Sequence, residues 1–272
     1  MNEDLIRQVN MWMAENKADV IFTYLSGELV EPETLRAIRN HGVPMINLAL
    51  NDKEHFIGKI KNGHPWGARD ICRYFDICWT STEDALVKYC VEGALPLYLP
   101  EGANPDIHKP YDVEKSIDVS FVGQCYGNRA AVIDEIKRQG INVEAYGIGW
   151  SNGPLPTEEM VRMYSRSKIN LGFGGVAGHE NTFCLKGRDF EIPMSGGLYL
   201  TEDHPELTVA FHPGEEILTY SGIEDLLEKI KYYLDHPAEA EAVRKNGYKR
   251  ALRDHTWEMR FEKIFSLIGL LQ

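Results

Sequence analysis

No stretch of the sequence approaches the roughly 20 consecutive apolar residues that span a bilayer. The amino terminus, MNEDLIRQVN, lacks a basic region followed by an apolar one, so the chain reads as soluble and cytoplasmic, with no membrane span. Cysteine is scarce. Cys72, Cys78, Cys90, Cys125 and Cys184 are odd in number and form no C-x-x-C pair, as a reduced compartment allows, and read as buried or incidental thiols. No Asp-x-Asp pair follows an expected strand and no His/Cys cluster has zinc spacing, so no metal site is expected. Basic residues are outnumbered, 29 Lys and Arg against 41 Asp and Glu, for a formal charge of -12. A surface of that sign repels polyanions, and nucleic acid is set aside as a partner. What is present is a globular composition: 43% hydrophobic and 10% aromatic residues over 272 positions, enough for one large core or two ordinary ones.

Helix-period and short strand-type segments alternate from end to end, the pattern of an α/β protein with parallel sheets and crossover helices. Leu5, Val9 and Trp12 stand at helical spacing ahead of an apolar strand, Val20 to Tyr24. Pro32 opens a second helix that Gly42 ends, and Val43 to Ala49 is the next strand. A loop rich in Gly, His and Pro covers 58–67, followed by strands at 77–79 and 97–99 around a helix bearing Leu86 and Tyr89. Pro100-Glu-Gly-Ala-Asn-Pro105 is the densest Pro/Gly break and is the expected boundary between two domains, 1–105 and 106–255. Beyond it, strands are expected at 119–122, 143–146, 169–172 and 198–201. Asn128 is placed to cap the first helix there, and the tail from 226 onward reads as helix.

In open parallel sheets ligands bind beyond the carboxyl ends of strands, which directs attention to the loops. Phe121-Val-Gly-Gln-Cys-Tyr-Gly-Asn-Arg129 sets Gly123 and Arg129 between a strand and a helix, where free backbone N–H groups and the helix dipole favour an anion; a tight turn is the plainer alternative. Gly172 to Asn181 superficially offers G-x-G-x-x-A but does not open into a helix early in a βαβ unit, which argues against a dinucleotide site. Its His179 and Glu180 are polar groups suited to a cleft. In Leu185 to Gly197, Lys186 and Arg188 at a helix start add charge-assisted donors for a diphosphate. Glu191, one turn on, is an acceptor for ribose hydroxyls, or else the partner of Arg188 in a surface ion pair.

The run Arg188-Asp-Phe-Glu-Ile-Pro-Met-Ser-Gly-Gly-Leu-Tyr-Leu-Thr201, then Tyr220, Pro237, Asn246-Gly247 and His255-Thr-Trp257, resembles the carboxy-terminal half of the group 1 glycosyltransferases, in particular the CgeB-like (spore maturation protein) branch. Asn51-Asp52, Phe75 to Ser81, Tyr98 to Pro105 and Phe121-Val-Gly123 extend the likeness upstream. The resemblance implies a GT-B fold, two Rossmann-like domains with parallel sheets facing a cleft. The second domain would hold a nucleoside-diphosphate sugar, and a hydroxyl acceptor, not identified, would approach from the first. It further implies that 256–272 returns to the first domain, that Glu191 is the second glutamate of an E-x7-E motif, and that the sugar is transferred with retention and without a metal or other cofactor. The first glutamate of that motif falls at Phe183, and the basic residue usual after the first phosphate-loop glycine is Gln124.

On this reading Lys186, Arg188 and Arg129 neutralise the leaving diphosphate, and Gly123 and Glu180 complete the donor site. His179 is counted with the catalytic candidates. An inverting enzyme would need a general base, for which Asp52, His55 and Glu101 are the candidates. The first domain is reduced, beginning with a helix, and a homodimer would cover its open sheet edge. Two rivals stand beside the transferase. A nucleotide-sugar 2-epimerase would share the architecture, and a non-catalytic nucleotide-sugar-binding or partner subunit would suit the short first domain and the incomplete motif.

Overall fold

The computed structural model describes residues 1–176 and 179–271, the side chains of Glu180 and Asn181 excepted. The chain divides into two compact units: Met1–Pro100 with the segment from Glu262 onward, and Glu101–Phe261. No helix among the described residues is long and apolar enough to cross a membrane.

The first unit runs α1 (Asn2–Glu15), β1 (Ile21–Thr23), α2 (Pro32–Arg39), β2 (Met45–Ala49), α3 (Asp52–His55), β3 (Ile60–Lys61), β4 (His64–Pro65), β5 (Ile77–Thr80), α4 (Leu86–Val91) and β6 (Pro96–Tyr98). Its four-stranded parallel sheet has the order β1-β2-β5-β6, with Ile21 beside Met45, Ile46 beside Ile77 and Cys78 beside Pro96. Leu35, Ile38, Met45, Ile71, Phe75 and Tyr89 fill the core on one side. Fully buried Trp79 donates its indole N–H to Leu99 O at 2.8 Å.

Helix α1 departs from the sequence expectation. Leu5 and Val9 pack on the core, but α1 has no buried residue and Trp12 is 51% exposed. Helical spacing identifies an apolar stripe, not the width of the surface available to cover it.

The second unit runs β7 (Ile117–Val122), α5 (Arg129–Arg138), β8 (Val143–Tyr146), α6 (Thr157–Arg166), β9 (Ser167–Leu171), β10 (Gly175–Val176), β11 (His179–Phe183), α7 (Gly187–Met194), β12 (Tyr199–Glu202), α8 (Leu207–Ala210), β13 (Leu218–Tyr220), α9 (Gly222–Asp235) and α10 (Pro237–Asp254). Helix α11 (Trp257–Leu267) carries the chain out of this unit into the segment grouped with the first. All five strands of the main sheet are parallel, in the order β13-β12-β9-β7-β8. From β7 the chain adds β8 on one side and then crosses to add β9 on the other. The reversal leaves a crevice at the carboxyl ends of β7 and β9, the place where such sheets receive ligands.

Asn128 does occupy the cap position of α5, but without a side-chain cap hydrogen bond. The β10–β11 hairpin and strand β13 were not expected from the sequence.

Candidate functional site

Arg129 and Arg188 meet at the β7/β9 crevice. Arg129 opens α5, is 97% buried, and donates to Gln124 O and to the Tyr126 hydroxyl, both at 2.8 Å. Its guanidinium lies 3.8 Å from the centre of the Tyr126 ring and 5.3 Å from those of Phe121 and Phe173. Arg188, the second residue of α7, places its guanidinium 5.5 Å from the same Phe121 ring, and its Nε is buried without a hydrogen-bond partner. Gly123 makes room for this. A Cβ there would stand 3.0 Å from Arg188 Nη1 and 2.8 Å from Phe121 Cζ.

Neither guanidinium forms an ion pair among the described residues; burial, and then the charge of Arg188, lower the pKa of Arg129. Two like charges held together in a partly dry crevice need an anion, and a guanidinium matches phosphate oxygens in geometry as well as charge.

The start of α7 is fixed from within. Asp189, 99% buried, accepts the Lys186 N–H at 2.6 Å and the Tyr199 hydroxyl at 2.5 Å. The first of these is one half of a capping box, the N3 side chain accepting the N-cap N–H. Lys186 is committed elsewhere: its Nζ donates to Gly174 O at 3.0 Å, tying the base of the β10–β11 hairpin to α7. Gly175 N in turn donates to Glu202 Oε2 at 2.7 Å.

Two carboxyl groups flank the first residue of the helix. A Cβ on Gly187 would stand 3.2 Å from Glu191 Oε1 and 3.4 Å from Glu101 Oε2. Burial, reinforced by Glu191 and Asp189, pushes the Glu101 carboxyl up to about 8 against the opposing pull of Arg188 and Lys186. Burial also raises Glu191. At neutral pH the Glu101 carboxyl is therefore largely protonated and can donate a hydrogen bond. The surface ion pair between Arg188 and Glu191 that the sequence allowed is not formed. His108 Nε2 lies 3.9 Å from Glu191 Oε1, and its buried Nδ1 has no partner. No sequence signal pointed to His108.

Among the remaining candidates, His179 opens β11 and is exposed, and the Glu180 side chain lies outside the described residues. Asp52 and His55 belong to the first unit, where Asp52 is 98% buried and His55 exposed. The structure thus brings Gly123, Arg129, Arg188, Glu191 and Glu101 into one unit, around β7, β9 and α7. No group of three or more potential metal ligands occurs among the described residues.

Two α/β units with parallel sheets, the second with its reversal at β7, constitute the GT-B fold, here with a reduced first unit. Solved structures share it. Sucrose-phosphate synthase from Thermosynechococcus elongatus superposes with a TM-score of 0.67 at 12% identity, over 98% of this chain and 78% of that one. Anabaena HepE in complex with UDP-glucose superposes with a TM-score of 0.65 at 9% identity, over 99% and 82%. The chain belongs to the Glycosyl transferase-like family, which it matches over residues 129–266, just over half its length. It is also 25% identical over 187 residues to the spore protein CgeB of Bacillus subtilis (strain 168), a match covering 59% of this chain and 57% of that protein.

Proposed function

We propose that the protein transfers a sugar from a nucleoside-diphosphate donor to a hydroxyl acceptor, with retention and without a metal. The observation that carries this reading is the pair of guanidinium groups, Arg129 and Arg188, at the crevice of the second sheet, neither of which forms an ion pair among the described residues. A diphosphate there gains negative charge as the glycosidic bond breaks. Fixed cations and the amino terminus of α7 then stabilise the transition state more than the bound donor. Glu191 accepts hydrogen bonds from the ribose hydroxyls. In a retaining reaction the leaving phosphate takes the acceptor proton, so no carboxylate nucleophile is required. Lys186 contributes by holding the β10–β11 hairpin. Family membership and the UDP-glucose bound by HepE support a nucleotide-sugar donor.

A thermal-shift panel of UDP-, GDP-, TDP- and CMP-sugars tests the reading, since a ligand at 100 times its Kd adds about 2.7 kcal/mol. One of the panel should stabilise the protein, and Arg188→Ala and Glu191→Ala should each abolish the shift while leaving the unliganded melting temperature close to that of the parent. Unchanged nucleotide affinity in both variants refutes the site. Binding without turnover favours a non-catalytic subunit, and isomerised donor without acceptor favours an epimerase.

A further inference from the structure

The Pro/Gly break that reads in the sequence as a boundary leads into an arm, residues 101–108, that belongs entirely to the second unit. The arm is built rigidly. Ala103 N donates to His255 O at 2.9 Å and Trp257 N to Ala103 O at 3.2 Å, so its first residues cross the segment before α11 as a short parallel bridge. A Cβ on Gly102 would stand 2.9 Å from Trp257 N and 3.0 Å from His255 O, so this crossing favours glycine. Further along, Asn104 folds the chain back on itself: its side-chain oxygen accepts Asp106 N at 2.9 Å, and its carbonyl accepts Ile107 N at 3.1 Å and His108 N at 2.7 Å. An asparagine that caps its own turn in this way fixes the residues that follow. His108 is the residue the turn delivers.

The imidazole is 92% buried and ends beside Glu191, with Nε2 3.9 Å from Oε1. That same oxygen would lie 3.2 Å from a Cβ on Gly187, the first residue of α7, and the Glu191 side chain keeps 28% of its surface exposed. One carboxyl oxygen is therefore near both the imidazole and the helix start. Burial lowers the pKa of His108, so the ring is neutral and carries a single N–H. Its nitrogens are not equivalent. Nδ1 is buried with no hydrogen-bond partner among the described residues, so an N–H there would go unmet, whereas an N–H on Nε2 faces a carboxyl oxygen. A separation of 3.9 Å exceeds a hydrogen bond, and contacts of this kind often tighten only in the complex with ligand.

We propose that His108 is a positioning residue: in the nucleotide complex it donates from Nε2 to Glu191 Oε1 and holds that carboxyl in the orientation that accepts the ribose hydroxyls. The proposal rests on the donor reading above, in which Glu191 meets the ribose.

The test is calorimetry of the whole protein with UDP, GDP, CDP and ADP and their dideoxy counterparts, which lack both ribose hydroxyls, taking the ribonucleotide that binds the parent most tightly. The parent should prefer it to its dideoxy form by about tenfold or more, because the dideoxy form leaves Glu191 unmet. His108→Phe keeps the bulk of the ring and removes its donor. It should cut the preference below about threefold while dideoxy affinity changes less than about twofold; a merely structural role would weaken both forms alike. His108→Gln sets an amide N–H near the place of Nε2 and should restore most of the preference, whereas His108→Asn, whose shorter amide falls near Nδ1, should not. These two variants decide the matter should His108→Phe fail to fold. The proposal is overturned if the preference survives in His108→Phe, if both forms weaken together, or if the Gln and Asn variants behave alike. A parent that binds nucleotide without preferring ribose refutes the role of Glu191 in the donor reading and this proposal with it, and a parent that binds no nucleotide refutes the donor site as a whole.

Discussion

Replacing Glu101 by glutamine should make the second unit more stable, and increasingly so as the pH rises. The carboxyl titrates at about 8 in the folded chain against an ordinary 4.5, because it is buried and faces Glu191 and Asp189. Between those values the folded state binds more protons than the unfolded one, so stability is greatest below pH 4.5, declines as the pH rises toward 8, and is flat above. At ~1.36 kcal/mol per pKa unit, the shift amounts to at most about 4.8 kcal/mol, which partial solvent access to the carboxyl reduces to roughly 2–4 kcal/mol. Glutamine reproduces the shape of the protonated carboxyl and cannot ionise. Urea unfolding at pH 5, 7 and 9, followed by tryptophan fluorescence, measures the difference. Trp150 and Trp257 report on the second unit, and its transition should be fitted separately from that of the first. Parent and variant should nearly coincide at pH 5, with Glu101→Gln ahead by roughly 2–4 kcal/mol at pH 9. A gap of the same size at both pH values, or a variant less stable at pH 9, would refute the reasoning.

Gly123→Ala sets a methyl group against Arg188 Nη1 and the edge of Phe121, and should weaken nucleotide binding at least tenfold by calorimetry; an unchanged Kd would show that Arg188 does not need this space. EDTA should leave turnover intact, and activity lost to the chelator and restored by magnesium or manganese would contradict side-chain neutralisation of the diphosphate.

The parts of the fold that sequence conveyed are those governed by local periodicity. Strand β7 at 117–122, helix α7 at 187–194 and strand β12 at 199–202 stand within a few residues of their expected places, because each is an apolar run closed by glycine or a polar turn. Hairpin β10–β11 escaped notice because three of the four residues from 172 to 175 are glycines and show no alternation, and its pairing depends on Lys186 and Glu202 from other elements. Lys186 reads as a phosphate ligand from its place at a helix start; its side chain also donates to Gly174 O, a geometry no spacing rule contains. The convergence of Glu101 and Glu191 over Gly187 was equally hidden. They stand 90 residues apart, and a chain crossing brings them together, in which Ala103 N donates to His255 O and Trp257 N to Ala103 O.

The two guanidinium groups at the β7/β9 crevice, which form no ion pair among the described residues, belong to a chain whose formal charge is -12. Two fixed positive charges offset most of the charge on one diphosphate, and a further phosphate would add its charge to a chain that is already net negative. Each added phosphate therefore contributes repulsion without a matching contact. A donor site built on these two guanidinium groups, as proposed above, would distinguish a nucleoside diphosphate from a triphosphate by electrostatic balance. Selectivity of that kind weakens with ionic strength, because repulsion at the exposed surface is screened while attraction inside the crevice is largely retained.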